Sequence, residues 1–379
     1  MARFPFPHNQ RLSSCFYPES ADVEHVQRAF QRFRQEIVTA DGASGFLRAR
    51  RPDTPDGEPN STVSEGIAYG VMIAVMFDDQ PLFDAFYQYA LRFANERGLM
   101  SWYIAPDGVR VLGSGAATDA DEDIAWALVM AHRQWGGKGS LSESYLSHAL
   151  RQIERIWQFE VDHDRYAGML LPGDEWRGRN VFNPSYFAPH QYRLFGEVSG
   201  NVAGWQGVVD RGYAIVEASL NDENGNRANG LVPAWCDDSG KPVEAFPGAM
   251  TNYQYDSARL PFRLGQDFAY HEEPRARAYL ARSSAFFADV GAESIVDGYT
   301  LRGEPAPDPR AQKPNPGSAV FVGSAAVGAM HDERYRAFVD AAYLRVSSGE
   351  LLARSRYYNQ CWTVLSLLMM TGNLVNFPG

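Results

Sequence analysis

Residues 115–137, GAATDADEDIAWALVMAHRQWGG, put four acids into five positions: Asp119, Asp121, Glu122 and Asp123. Carboxyl groups gathered at the end of an apolar element are the raw material of general acid–base chemistry. On a helical wheel, Ile124, Leu128, Ala131 and Trp135 share one face at spacings of 4, 3 and 4. Asp121 lies at the margin of that face, and Asp119 and Asp123 lie opposite it. Asp119 and Glu122 read as a capping pair, and first-turn acids suit the helix dipole. Asp121 has no such explanation, because an inward carboxylate needs a partner or a task. A calcium loop fails: its sixth and twelfth positions would be Ile124 and Met130, where Gly and Glu are required.

Two further acids stand at comparable places. In STVSEGIAYGVMIAVMF, Ser64 reads as an N-cap, and Glu65 opens a helix with no other charge through Phe77. Burial there raises a carboxyl pKa while the dipole lowers it, and a carboxyl kept protonated can serve as a general acid. In TNYQYDSARLPFRLGQDF, Asp256 follows Tyr253 and Tyr255 and precedes Arg259 by three. Arg259 could neutralise Asp256 in a surface pair or steer another carboxylate. The eight histidines are dispersed, and no HExxH, Walker A or GxSxG pattern is present.

Helical periodicity recurs along the whole chain, predicting helices near 22–39, 64–77, 81–96, 119–135, 142–158, 187–199, 204–219, 252–269, 273–290, 317–330, 333–345 and 356–371. Amphipathic segments such as VEHVQRAFQRFRQEIV tend to alternate with segments apolar nearly all round, such as GSAVFVGSAAVGAM. The first kind covers a core and the second lies inside one. Six inner and six outer helices predict an all-α (α/α)6 toroid, with residues 1–379 forming one domain. The inner segments hold small residues, Gly66, Gly70 and Ala74 among them, that allow close packing. Two long connections, residues 164–187 and 220–246, are rich in Gly, Asn, Asp and Trp and are expected as small β-hairpin or loop excursions over one mouth.

The bulk composition narrows the partners. A net charge of −11 over 379 residues, with basic residues scattered singly, argues against nucleic acid or an anionic membrane. Aromatics make up 13%, which suits a cleft that stacks flat apolar faces. Cys15, Cys236 and Cys361 form no CxxC pair and allow one disulfide at most. No apolar run is long enough for a membrane span, and MARFPFPHNQ lacks a signal peptide's features. The expectation is a secreted or periplasmic monomer whose leader has been removed, with a cytoplasmic chain left open.

Four segments in order, SEGIAYG (64–70), ATDADEDIAWALVMAHRQW (117–135), NPSYFAP (183–189) and YDSARLPFR (255–263), closely resemble glycoside hydrolase family 8. The resemblance spans roughly residues 20–375 and implies the same (α/α)6 fold. It implies Glu65 as proton donor and Asp256 as general base, the arrangement of one large branch of the family. It assigns the second Asp of ATDAD, Asp121, to binding and distorting the sugar at the cleaved bond. Tyr186 would lie beside the attacking water, Tyr255 and Arg259 would line the same site, and Trp102 and Trp176 would stack sugar rings. The implied mechanism is inverting, with the two carboxyls about 6.5–9.5 Å apart, and needs neither metal nor cofactor. The expected activity is endo-hydrolysis of a β-1,4-glucan, cellulose-like or mixed-linkage. Xylan is the nearest rival and chitosan the next. A sugar epimerase or polysaccharide lyase on the same toroid fits less well, given the dispersed histidines and the net charge, and a catalytically silent carbohydrate-binding protein is the alternative of another class.

Overall fold

The computed structural model describes residues 3–54, 57–307, 313–353 and 355–379. Twelve α-helices appear among them: α1 (Val23–Glu36), α2 (Ser64–Met76), α3 (Gln80–Arg92), α4 (Thr118–Trp135), α5 (Tyr145–Phe159), α6 (Pro189–Ser199), α7 (Val202–Ser219), α8 (Leu260–His271), α9 (Pro274–Val290), α10 (Ala319–Ala329), α11 (Arg336–Ser347) and α12 (Arg356–Met370). The even-numbered helices close a ring, each packing on the next and α12 returning to α2. The odd-numbered helices pack outside them, which makes the architecture an (α/α)6 toroid.

Hydropathy explains the sorting. Every residue of α10 is buried, and in α2 only Glu65 is not, so these helices have no outer face. In α1, by contrast, only Val26 and Phe33 are buried. Close packing in the inner ring requires glycine: a Cβ on Gly70 would lie 2.6 Å from the Phe86 ring of α3. No helix among the described residues is long and apolar enough to cross a membrane.

The predicted helices differ from the observed ones chiefly at two starts. Ser64 does not cap α2; Val63 occupies the N-cap position, and no side chain caps the helix there. The segment predicted to be helical from 252 stays irregular until α8 begins at Leu260. The backbone of Tyr253 pairs with Tyr299, with N···O distances of 3.1 and 2.9 Å, and Ser257 N–H closes a turn on the Gln254 carbonyl at 2.8 Å. That pairing takes up backbone groups that a helix would need.

Five very short strands occupy the linkers. β1 (Val38–Thr39) pairs with β2 (Arg48–Ala49), and β3 (Thr62–Val63), β4 (Tyr103–Ile104) and β5 (Val111–Gly113) form an antiparallel three-stranded sheet. β3 runs directly into α2, and four residues separate β5 from α4, so this sheet sets the starts of two inner helices side by side. The two long connections meet each other: Phe182 and Cys236 exchange backbone hydrogen bonds of 2.7 and 3.0 Å. All three cysteines are free thiols.

Candidate active site

A cleft of about 320 Å³ opens where several inner helices begin. Its walls include Glu65, Trp102, Asp119, Tyr186, Tyr255, Asp256 and Arg259, together with Arg51, Gln254, Tyr357 and Tyr358. Residues from seven separate segments therefore converge, several of them delivered by a local device. Ser64 N–H bonds the Trp102 carbonyl at 2.9 Å, and Trp102 N–H bonds the Gly115 carbonyl at 2.8 Å. These bonds hold Glu65, Trp102 and the approach to α4 in register. Asp256 sits on the tight turn before α8. Tyr186 ends the short 3₁₀ turn Pro184–Tyr186, which Asn183 caps by accepting from Ser185 N–H at 2.9 Å.

Arg259 is the hub. It is 1% exposed and occupies the N-cap position of α8. Its Nη1 donates to Glu65 Oε2 at 2.9 Å, to Tyr69 at 3.0 Å and to Asp119 Oδ2 at 2.5 Å. Nε and Nη2 donate to Ser185 Oγ at 3.2 and 2.9 Å, and the guanidinium lies 5.0 Å from the Tyr186 ring centroid. The planar fork thus clamps α2, α4 and the 183–186 turn together. Of the two roles open to Arg259, steering other carboxylates is the one observed: its hydrogen bonds go to Glu65 and Asp119, and Asp256 instead accepts from Gln254 Nε2 at 3.0 Å.

The electrostatics separate the acids. Burial pushes Glu65 up to about 7, against the pull of Arg259; Asp119 nearby pushes it further, and the hydrogen bond from Tyr357 opposes that. Tyr357 donates to Glu65 Oε1 at 2.5 Å. Asp256 is also raised above the usual carboxylate value by burial, while Arg259 and Gln254 pull it down. Glu65 can consequently carry a proton near neutral pH, as an acid needs.

One sequence expectation is overturned. Asp121 does not line the cleft; it is 1% exposed and points into the α4–α5 interface, where Gln152 donates to its Oδ1 at 2.7 Å. Glu160, at the end of α5, is its buried neighbour, and burial raises both carboxyls well above their ordinary range. The acid that reaches the cleft from this helix is Asp119. The wheel misassigned them because α4 is an inner helix with fifteen buried residues out of eighteen, so both of its flanks are interior. Nor do Asp119 and Glu122 form a capping pair. Glu122 accepts from Tyr192 at 2.7 Å, and Asp123 takes a two-pronged bond from Arg263 at 2.6 and 2.8 Å.

The remaining expected residues divide. Trp102 is 44% exposed, and its indole lies over Gly113, where a Cβ would come within 2.1 Å of Nε1. Tyr255 donates to Asp297 Oδ2 at 3.0 Å and sets its ring edge against Phe321. Trp176 is absent from the cleft wall; it stacks on Trp235 at 6.0 Å and 8°, and the Arg179 guanidinium lies 4.8 Å from its ring centroid. Tyr357, Tyr358 and Gln254 were missed. The adjacent tyrosines at the start of an otherwise apolar helix were the available signal for the first two.

Comparison with known proteins agrees with this picture. Residues 5–372 match the family model of glycosyl hydrolases family 8. The chain is 34% identical over 388 residues to Endoglucanase 2 of Ruminiclostridium josui, covering 99% of this chain and 78% of that protein. It is 36% identical over 361 residues to Endoglucanase A of Acetivibrio thermocellus, covering 93% and 70%. Among solved structures, the apo β-1,3-1,4-glucanase of Paenibacillus sp. X4 shares the fold with a TM-score of 0.84 at 24% identity, over 98% of each chain. With acids from separate inner helices gathered in one cleft and a family match over nearly its whole length, this protein belongs to glycosyl hydrolase family 8.

Proposed function

We propose that the chain is an inverting endo-hydrolase of β-1,4-linked glucan, in which Glu65 protonates the leaving oxygen and Asp256 draws a proton from water on the opposite face of the sugar. The observation that carries the reading is the meeting of Glu65, Asp119 and Asp256 in one aromatic-walled cleft, with Glu65 pushed up to about 7. Asp119, anchored by Arg259, is placed to hold the hydroxyls of the strained ring. It takes the role expected for Asp121. Tyr186 and Tyr255 flank the water and the ring, and Trp102 offers its exposed face to a neighbouring sugar. The endoglucanase names of relatives at 34–36% identity support glucan as the first substrate class. A polysaccharide is met outside the cytoplasm, so the reading includes a secreted or periplasmic enzyme, acting as a monomer with residues 1–379 as one catalytic unit.

The test is release of reducing sugar from carboxymethylcellulose, barley β-glucan, xylan and chitosan, with the anomer of the first product followed by proton NMR. Release from a glucan, with the α-anomer appearing first, is the expected result. Activity on xylan or chitosan alone would overturn the substrate, and β-anomer first would overturn inversion.

The two neighbouring aspartates give opposite expectations. Asp119→Asn should lower kcat on β-glucan by about 10²-fold, the scale of losing one charged contact that tightens in the transition state. Asp121→Asn should stay within about threefold of wild type, because Asp121 is not part of the cleft wall and the amide oxygen can still accept from Gln152. Equal losses in the two variants would refute the placement.

The pH profile follows from the raised carboxyls. Glu65 must be protonated, so kcat/KM should fall as pH rises through about 7. Asp256 must be ionised, so the acid limb should lie above the ordinary aspartate range. Tyr357→Phe removes a hydrogen bond that favours the Glu65 carboxylate, so the alkaline limb should move to higher pH. A limb that stays put, or moves down, would show that Tyr357 does not tune the acid.

A further inference from the structure

Beyond the cleft the aromatic rings continue. Tyr186, a cleft wall residue, meets Trp235 edge to face at 6.2 Å. Trp235 is 5% exposed and lies parallel to Trp176 on one side, and it contacts Phe246 at 5.8 Å and 76° on another. Phe246 is 49% exposed, among the largest exposures of any aromatic ring in the described residues. About half of the residue is therefore open to solvent while its ring stands nearly perpendicular to the buried Trp235.

The segment that bears it is anchored. Val243 N–H bonds the Trp235 carbonyl at 3.0 Å, and Ala249 N–H closes a turn on the Phe246 carbonyl at 2.8 Å. Gly248 N–H donates to the Glu244 carboxylate at 2.5 Å. A half-exposed phenyl ring on an anchored turn costs hydration and offers little to the core, since its one ring contact is with Trp235. The cleft itself, at about 320 Å³, is at the small end of ligand pockets, so a polymer must run out of it.

We propose that Phe246 is an outer subsite, a platform for the apolar face of a glucosyl unit in the part of the chain that leaves the cleft past Tyr186. The inference rests on the glucan reading above. The C–H face of a pyranose packs on an aromatic ring without needing hydrogen bonds, so the platform is tolerant of linkage and contributes affinity for long chains only. The continuity of Tyr186, Trp235 and Phe246 is what favours a glucan over a second copy of the protein as the occupant.

The experiment compares wild type, Phe246→Ala and Phe246→Trp on barley β-glucan and on cellotetraose. Phe246→Ala should raise KM for β-glucan by about three- to tenfold, leave kcat and the cellotetraose kcat/KM within twofold, and Phe246→Trp should restore the polymer KM. Unchanged polymer KM in Phe246→Ala overturns the subsite. Equal loss on polymer and tetramer also overturns it, because the residue would then act through Trp235 and the fold. A size-exclusion shift from dimer to monomer with polymer KM unchanged would make the patch a self-interface instead. Wild type inactive on β-glucan would overturn the glucan reading and the subsite with it, whereas activity indifferent to Phe246 overturns the subsite alone.

Discussion

Glu65→Gln is expected to lower kcat on β-glucan by about 10⁴-fold, the upper range of what one general acid supplies, while the protein remains folded. The amide keeps the shape of the carboxyl and removes only the transferable proton. Its oxygen can accept from Arg259, as Glu65 Oε2 does at 2.9 Å, and its N–H₂ can donate to the Tyr357 oxygen. Thermal unfolding and near-UV circular dichroism should therefore change little. The chemical signature is leaving-group dependence: an aryl glycoside whose phenol needs no protonation should lose much less than the polymer. A variant within tenfold of wild type on β-glucan would remove Glu65 from the proposed acid role. A collapse equal on both substrates would point to a positioning role.

Arg263→Met is the largest expected loss of stability, about 3–5 kcal/mol, the range for removing one partner of a buried ion pair. Arg263 is 1% exposed and lies one turn along α8 from Arg259. Its guanidinium grips both oxygens of Asp123 on α4, and Glu122 lies 3.6 Å away. With methionine in its place, Asp123, 1% exposed, keeps the hydrogen bond from Gln191 Nε2 at 2.6 Å but loses its counter-charge. Glu122 is already held well above its ordinary pKa by burial and accepts from Tyr192, so it tolerates the loss better than Asp123 does. The urea midpoint should fall sharply for Arg263→Met and recover partly in Arg263→Met/Asp123→Leu, where no unpaired charge remains. A single variant as stable as wild type would show that the pair adds nothing net.

Arg259 and Arg263 bind two of the four acids that stand out in the sequence, Asp119 and Asp123, and the other two have different partners. Of the four acids at the start of α4, Asp123 is paired with Arg263, Glu122 with Tyr192, and Asp121 with Gln152. Only Asp119 faces the cleft. The others join α4 to its neighbours across the ring and on its outer side, so the density of carboxyls is mainly a structural feature of a helix with no solvent face.

Much of the architecture was legible before any coordinates. The alternation of amphipathic and wholly apolar helices gives the toroid, because hydropathy period records whether an element covers a core or lies within it. Glu65 and Asp256 could be read as candidates because each stands beside an apolar stretch, where a lone carboxyl calls for an explanation. The choice between Asp119 and Asp121 could not be read. A wheel reports which residues are buried, and on an inner helix nearly all are; what each is buried against depends on which helices the chain brings alongside. For the same reason the partners of Arg259, on α2 and α4 at 194 and 140 residues' remove, were invisible. The irregular turn that carries Asp256 was hidden as well, since its backbone pairing with Tyr299 lies 46 residues on from Tyr253. Local sequence set burial and helix order, and the tertiary structure alone decided which buried carboxyls face the cleft.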